Sequence, residues 1–284
     1  MRFGQDARLL RRTFFDRAAL VVMFASTALT VSLLLVIMAY VAYEGLSYLN
    51  WSFITSLPTP VGEGGGGMAN ALVGSLEVVA VAAAMAIPIG VGAAIFLNEF
   101  QSGWLGWFVR FLADTLIGVP SIVVGLVAYA MVVQPMREFS AISGSVAYAF
   151  IMIPIILITA QEALRLVPGA IREASLALGI PTWRTILRIV LPSCSRALLT
   201  GLLLALARAL GEAAPMLFTA FGNPFWNTDL FKPIATVPLV IYRYATAPYD
   251  DWHAQAWAAS LILVLVVLLA STLTRAAFRS KFDD

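Results

Sequence analysis

The sequence predicts an all-α integral membrane protein with six transmembrane helices. Of its 284 residues, 61% are hydrophobic and only 12% are charged, whereas a soluble domain carries about 25% charged residues. A helix needs roughly 20 apolar residues to cross the hydrocarbon core of a bilayer. Six runs are long enough, and they lie near 18–43, 71–97, 108–133, 141–160, 194–221 and 257–275. The runs are continuous rather than alternating in polarity, which argues against transmembrane strands.

The basic residues predict the orientation of these spans, because cytoplasmic loops are enriched in Lys and Arg. The external connections hold only Arg137, Lys232 and Arg243. We therefore expect residues 1–17 to be a cytoplasmic segment, 18–284 to be one transmembrane domain, and both termini to be cytoplasmic. The remaining basic residues that support this orientation are Arg2, Arg8, Arg11, Arg12, Arg17, Arg165, Arg172, Arg184, Arg188, Arg196, Arg275, Arg279 and Lys281.

Other composition signals exclude several classes of function. The net charge of +2 reflects this topology, so we expect no nucleic-acid partner. Cys194 and His253 are the single residues of their kinds, so neither an intramolecular disulfide nor a metal site is expected. The first apolar run is too long for the apolar region of a cleaved signal, which spans up to about 15 residues.

The loop 161–193 predicts two short helices separated by a sharp turn. Pro168 suits the first turn of a helix, and Gly179 suits the left-handed residue that ends one. Pro181 disfavours a helical conformation at the residue before it, so we expect a second helix from near Thr182 to about Val190. The first helix, near 168–178, carries a narrow apolar stripe. Such a stripe fits a groove on a partner protein or lies on the lipid surface; its residues are Ile171, Ala174 and Leu178.

The same loop resembles the cytoplasmic EAA loop of permease subunits of ATP-binding-cassette importers. The matching positions are Glu173, Ala174, Gly179, Ile189, Leu191 and Pro192. One position departs from the pattern, since Ser175 stands where a third Ala is usual. The resemblance implies a type I importer permease bundle (MetI-like) with cytoplasmic coupling helices. It also implies that a separate ATPase docks here, with coupling residues Arg172, Glu173, Ala174 and Gly179.

Two charged residues spaced four apart, Arg208 and Glu212, lie near the middle of the fifth apolar run. Each charge alone would cost on the order of 3 kcal/mol at the centre of a span, so both should face the interior of the bundle. If the run is one helix, the two side chains share a face. Two interpretations follow from the residues. Arg208 binds an anion such as phosphate through its planar fork of donors, or the pair only neutralises itself and fastens helices together.

Two further segments are candidates for a substrate pathway. Glu77 lies about two turns into the second span, where a carboxylate requires a partner, a proton or a wet cavity. In the third run, Pro120 removes a backbone hydrogen bond, and Gly118 and Gly125 permit close approach of another helix. This fits either a kinked helix crossing or a functional segment that includes Ser121. Near the start of this run, Asp114 is expected to pair with Arg110 four residues before it.

These segments resemble permeases of phosphate importers. The residues Pro120, Ser121, Ile122, Val123, Gly125 and Leu126 match a P-S-I-V-x-G-L pattern. The run from Ala205 to Trp226 resembles the R-A-x-G-E-x-x-P segment of A-type permeases of bacterial phosphate-specific importers, although Ala213 replaces the usual Thr. The resemblance implies inorganic phosphate as substrate, with pathway candidates Arg208, Glu212, Glu77 and Ser121.

The resemblance also implies the partners and the location of the protein. The partners would be a second, C-type-like permease subunit, two copies of an ATP-binding subunit, an extracytoplasmic phosphate-binding protein and the lipid bilayer. The location would be the inner membrane of a bacterium. No stretch of this chain matches the P-loop pattern, and its lysines are Lys232 and Lys281. We therefore expect no enzymatic activity and no bound cofactor here, with ATP and Mg on the ATPase subunits.

Three alternatives remain at the level of sequence. The first is an importer permease for another oxyanion, such as sulfate or molybdate. The second is an ion-coupled secondary phosphate transporter, which would require no docking loop and would favour inverted internal repeats. The third is a purely structural membrane subunit, in which a charge in mid-span such as Arg208 has no evident use.

Overall fold

The computed structural model describes residues 3–63, 65–100 and 103–279, with side chains described within 12–272. These residues form helices, with no named strand among them, and the longest connections are 56–68 and 220–236. The helices are α1 (Phe3–Tyr48), α2 (Trp51–Thr55), α3 (Ala69–Glu99), α4 (Gly103–Gly118), α5 (Ser121–Met136), α6 (Ala141–Arg165), α7 (Gly169–Ala177), α8 (Thr182–Ser193), α9 (Ser195–Leu210), α10 (Ala214–Thr219), α11 (Val237–Ala245) and α12 (Asp250–Arg279).

Four of these helices, α1, α3, α6 and α12, are each long and apolar enough to cross a membrane, and two bent pairs raise the number of candidate spans to six. Helices α4 and α5 meet at 111°, and α8 and α9 meet at 76°. The six predicted spans are therefore reached only if each bent pair counts as one span. Of the terminal basic residues used for the orientation, Arg2 and Lys281 lie outside the described residues.

Two predicted spans are wrong as single helices. The run 108–133 is divided at Val119 and Pro120, because proline lacks the N–H that would continue the helical ladder. The run 194–221 is divided at 211–213, between α9 and α10, and Pro215 lies in the first turn of α10. The break at 119–120, where α4 and α5 meet at 111°, is sharper than the kinked crossing that the sequence suggested.

The centre of the bundle is built from small residues on α3 packed against α6. Ala82 and Ala86 are fully buried there beside Met152 and Ile156. Small side chains allow helix backbones to approach closely, which is how helices associate in lipid. Gly90 shows this packing, since an added Cβ would lie 2.7 Å from the Ile156 side chain.

The connection between α6 and α9 confirms the predicted helix, turn and second helix. Gly179 has a left-handed φ of 72°, as a helix-ending glycine requires. The Ser175 and Thr185 hydroxyls are 2.7 Å apart and are buried, so they tie α7 to α8. The second helix continues beyond the predicted Val190 through a π-helical turn, Ile186–Val190, to Ser193.

One predicted ion pair is wrong. Arg110 does not pair with Asp114; its Nη1 donates to Oε1 of Gln161 on α6, at 3.1 Å. Gln161 is buried, and a buried amide oxygen requires a donor. The contact also links α4 to α6.

We expect Gly74→Ala to destabilise the protein, because a Cβ at this position would overlap the backbone oxygen of Ala235. Overpacking against a backbone atom costs about 1–3 kcal/mol. Gly92 lies on the same helix with no atom within 4 Å of a Cβ, so Gly92→Ala is the matched control. It should be neutral or stabilising by up to about 1 kcal/mol. Thermal unfolding in detergent measures both, and equal midpoints for the two variants would contradict this packing.

Candidate functional site

The two interrupted regions of the bundle lie against each other. Helix α5 begins at Ser121, directly after the break at Pro120, and it packs on α10. At Gly125 an added Cβ would lie 2.8 Å from Cα of Pro215, so the two backbones are as close as glycine allows. The breaks at 119–120 and 211–213 are therefore brought together in space.

A small cavity of about 40 Å³ lies beside these breaks, and both Ser121 and Arg208 line it. This volume has room for a few water molecules at most. The rest of the lining is apolar and comes from α4, α5, α6 and the connection before Ser121: Leu116, Ile117, Val119, Val124, Ile151 and Ile155. A guanidinium and a hydroxyl thus face a cavity with otherwise apolar walls.

Arg208 and Glu212 form an ion pair, with Nη2 and Oε1 at 3.5 Å. The Arg208 side chain is 53% exposed on this chain and the Glu212 side chain is 21% exposed. The prediction that they share one face of a helix in mid-span is wrong, because α9 ends at Leu210 and Glu212 follows that end. The pair therefore joins a helix to the irregular segment after it.

Tyr148 on α6 was missed by the sequence reasoning. Its hydroxyl donates to the backbone oxygen of Glu212 at 2.8 Å, and its side chain is fully buried. This contact satisfies a carbonyl that the helix break leaves without an amide partner. The available signal was a tyrosine inside an apolar span, since a buried tyrosine hydroxyl usually finds an acceptor.

The structure does not bring Glu77 to this site. Glu77 is partly buried on α3, and it is not among the residues that line the cavity beside Arg208. Arg208, Glu212 and Ser121 are therefore brought together, and Glu77 is separate from them.

In the loop after α6, the predicted coupling residues point in different directions. Glu173, Ala174 and Gly179 are exposed, and Leu178 is 80% exposed. Arg172 instead turns inward, where its guanidinium bonds to the carboxylate of Glu99 at the end of α3. One surface of α7 is thus open to a partner, while Arg172 holds the helix to the bundle.

A larger cavity of about 420 Å³ lies at the end of the bundle where α3 begins. Arg243 lines it and donates to the backbone oxygen of Phe221, with its guanidinium 5.3 Å from the Phe221 ring. Burial lowers the pKa of Arg243 from its usual value. Sequence reasoning placed Arg243 in an external connection and gave no signal of this cavity.

A family of known proteins matches most of this chain. The model of the family described as "Binding-protein-dependent transport system inner membrane component" matches residues 86–281. The chain belongs to this family. The match covers the broken spans, α6 and the loop with Glu173. Membership makes the chain a multi-pass protein of the inner membrane, and it implies a substrate-binding protein and an ATPase as partners.

Three relatives of this chain carry the same name. The chain is 40% identical over 267 residues to the phosphate transport system permease protein PstA of Yersinia pestis, covering 94% of this chain and 90% of that one. It is 43% identical over 245 residues to PstA of Xylella fastidiosa, covering 85% of each. It is 36% identical over 282 residues to PstA of Haemophilus influenzae, covering 99% of this chain and 100% of that one.

Solved structures confirm the fold that the loop resemblance implied. The inward-facing MetNI methionine ABC transporter matches with a TM-score of 0.63 at 16% identity, covering 75% of this chain and 96% of that one. A bacterial alginate ABC transporter matches with a TM-score of 0.65 at 14% identity, covering 89% and 92%. The family therefore has the architecture of type I ABC importer permeases.

We expect Tyr148→Phe to destabilise the protein by about 1–3 kcal/mol, because it leaves the partly buried Glu212 carbonyl without its donor. Tyr129→Phe removes a hydroxyl from a partly exposed ring on α5 and should change stability little. Denaturant unfolding in detergent compares the two. Loss of stability in Tyr129→Phe alone would contradict the importance of the Tyr148 contact.

Proposed function

We propose that this chain is the transmembrane permease subunit of an ATP-driven importer of inorganic phosphate. The observation that carries the proposal is that Arg208 and Ser121 line one cavity between two interrupted spans. The relatives named phosphate transport permeases support phosphate as the anion. With a second permease subunit, the chain would enclose the phosphate path.

The groups at the cavity suit a tetrahedral anion. The guanidinium of Arg208 offers a planar fork that matches phosphate oxygens and stays charged when buried. The start of α5 offers backbone N–H groups at the positive end of a helix dipole, beside the Ser121 hydroxyl. Interrupted helices present their ends to substrate in the same way in other membrane transporters.

Glu212 gives the site a means of selecting phosphate over sulfate. Phosphate near neutral pH keeps at least one proton and sulfate keeps none, so a carboxylate accepts a hydrogen bond from the first and repels the second. The competing role for Glu212 is charge balance with Arg208 alone. Glu77 lies on a partly exposed face of α3 and would meet the path only where a second subunit completes it.

Energy would come from two copies of an ATP-binding subunit, and this chain would bind neither ATP, Mg nor another cofactor and catalyse no reaction. Glu173, Ala174 and Gly179 would form the exposed docking surface in the cytoplasm, and both termini would lie on that side of the membrane. An extracytoplasmic phosphate-binding protein would deliver substrate at the opposite face. Nucleotide-driven movement of the ATPase would then reach the bundle as rigid-body motion.

The experiment that tests this function is reconstitution in proteoliposomes with the partner permease, the ATPase and the binding protein. Phosphate should stimulate ATP hydrolysis and should be taken up only with ATP. Stimulation by sulfate or molybdate instead would make the chain a permease for that oxyanion. Uptake driven by an ion gradient without ATP would make it a secondary transporter.

We expect Arg208→Gln to lower phosphate uptake at least tenfold, because a hydrogen bond to a charged group contributes about 1.5–3 kcal/mol. Arg208→Lys should recover part of the uptake, since it keeps the charge and loses the fork. Arg137→Gln is the control, because Arg137 is exposed in the connection between α5 and α6. Wild-type uptake by Arg208→Gln would leave only a structural role for the ion pair with Glu212.

We expect Glu173→Lys to lower binding of the ATPase at least tenfold, because charge reversal places a repulsive group in the docking surface. The chain should still insert and fold, because the Glu173 side chain is exposed. Co-purification of the ATPase in detergent measures the binding. Glu63→Lys, in the exposed connection between α2 and α3, is the matched control. Normal ATPase binding by Glu173→Lys would remove this helix from the docking surface.

A further inference from the structure

We propose that the ion pair between Arg172 and Glu99 makes the docking helix α7 and the packed helices α3 and α6 move as one body. Arg172 is then a positioning residue: it holds α7 to the bundle instead of contacting the ATPase. The inference rests on the proposed function, since it concerns how movement of a docked ATPase reaches the transport path.

The geometry of the pair is that of a clamp. Nε of Arg172 lies 3.1 and 3.0 Å from the two carboxylate oxygens of Glu99, and Nη2 lies 2.8 Å from Oε1. The same guanidinium donates through Nη1 to the oxygen of Val167 at 2.7 Å and through Nη2 to the oxygen of Leu164 at 3.1 Å. One side chain therefore joins the end of α3, the end of α6 and α7.

Burial makes this contact strong and directional. The Glu99 side chain is 7% exposed and that of Arg172 is 21% exposed, so water and salt screen the pair little. The Asn98 amide also donates to Oε1 of Glu99, at 2.8 Å. Paired oxygens and a planar fork fix both distance and orientation. Ala94 of α3 and Ala160 and Leu164 of α6 belong to one buried apolar cluster.

Helix α7 has little other attachment to the bundle. Ser175 is its buried residue, and the Ser175 hydroxyl bonds to Thr185 on α8, within the same loop. In the part of the chain whose side chains are described, the side-chain hydrogen bonds that join α7 to α3 and α6 are those of Arg172. A force applied to the exposed surface of α7 thus enters the bundle at Glu99 and Leu164.

The path from that contact leads to the cavity beside Arg208. Helix α6 packs along α3 and against α9, and its residues Ile151 and Ile155 line the cavity. Packed helices move as rigid elements. A displacement of α7 held by Arg172 therefore moves α6 and, with it, the part of the cavity wall that Ile151 and Ile155 form beside Arg208.

The competing account is that the pair only stabilises the fold. Removal of one partner of a buried pair leaves an uncompensated charge, whereas replacement of both by apolar residues of similar size is often neutral. The double variant Glu99→Met with Arg172→Met therefore preserves folding and removes the clamp. The matched control is Glu162→Met with Arg165→Met. That pair has the same residue types, lies at the same end of α6 at 3.0 Å, and is exposed.

The test uses the complete transporter in proteoliposomes and measures phosphate taken up per ATP hydrolysed. We expect the ATPase to co-purify with the Glu99 and Arg172 double variant while this ratio falls on the order of fivefold or more, the range of ordinary coupling between sites. The Glu162 and Arg165 double variant should keep the wild-type ratio. A wild-type ratio in the Glu99 and Arg172 double variant, or an equal fall in both, would overturn the proposal.

A cross-linking experiment tests the proposal if the Glu99 and Arg172 double variant fails to assemble. The chain has one cysteine, so Glu99→Cys and Arg172→Cys can be introduced with Cys194→Ala. A short bifunctional maleimide that joins the two new thiols should raise the ratio, and N-ethylmaleimide, which caps them separately, should not. Equal ratios after both reagents would overturn the proposal. If another anion instead of phosphate stimulates ATP hydrolysis by the wild-type transporter, phosphate is not the substrate. The uptake of that anion per ATP hydrolysed then still tests the role of the Arg172 and Glu99 pair.

Discussion

The fold depends on one constraint of the bilayer: backbone N–H and C=O groups inside it must find partners within the protein. Continuous helices such as α3 and α6 meet most of this constraint by themselves, although Pro88 and Pro154 each remove one bond of the helical ladder. The breaks at 119–120 and 211–213 do not, and they are placed against each other, with Tyr148 supplying a donor to the oxygen of Glu212. Interrupted backbone is tolerated inside a membrane only where protein or a cavity surrounds it. The polar groups of the site are therefore found at the two breaks.

The sequence predicts those parts of the fold that depend on local chemistry. Span lengths follow from hydropathy, and the turn after α7 follows from Gly179, whose left-handed conformation an ordinary side chain disfavours. The severity of the two breaks could not be predicted, because Pro120 permits either a kink or a separation and the packing of α5 on α10 decides between them. The direction of Arg172 was equally hidden, since its partner Glu99 lies 73 residues away in the chain.

The EAA loop divides its residues between two faces of α7. Glu173 and Ala174 face outward, and Arg172 and Ser175 face the rest of the chain. The departure at Ser175 from the usual Ala has a physical reason in this protein, because its buried hydroxyl is paired with that of Thr185. The neighbouring residues Ala174 and Ser175 thus differ in surroundings, since the first is exposed and the second is buried. The sequence motif alone does not distinguish them.

The exposure of Arg208 bears on how the subunit is completed. A guanidinium that faces hydrocarbon costs about 2.5–3.5 kcal/mol by insertion scales, and roughly half of this side chain is uncovered on the single chain. Water or a neighbouring subunit that covers it removes that cost. Where a neighbouring subunit provides that cover, the charge of Arg208 would add to the free energy of association.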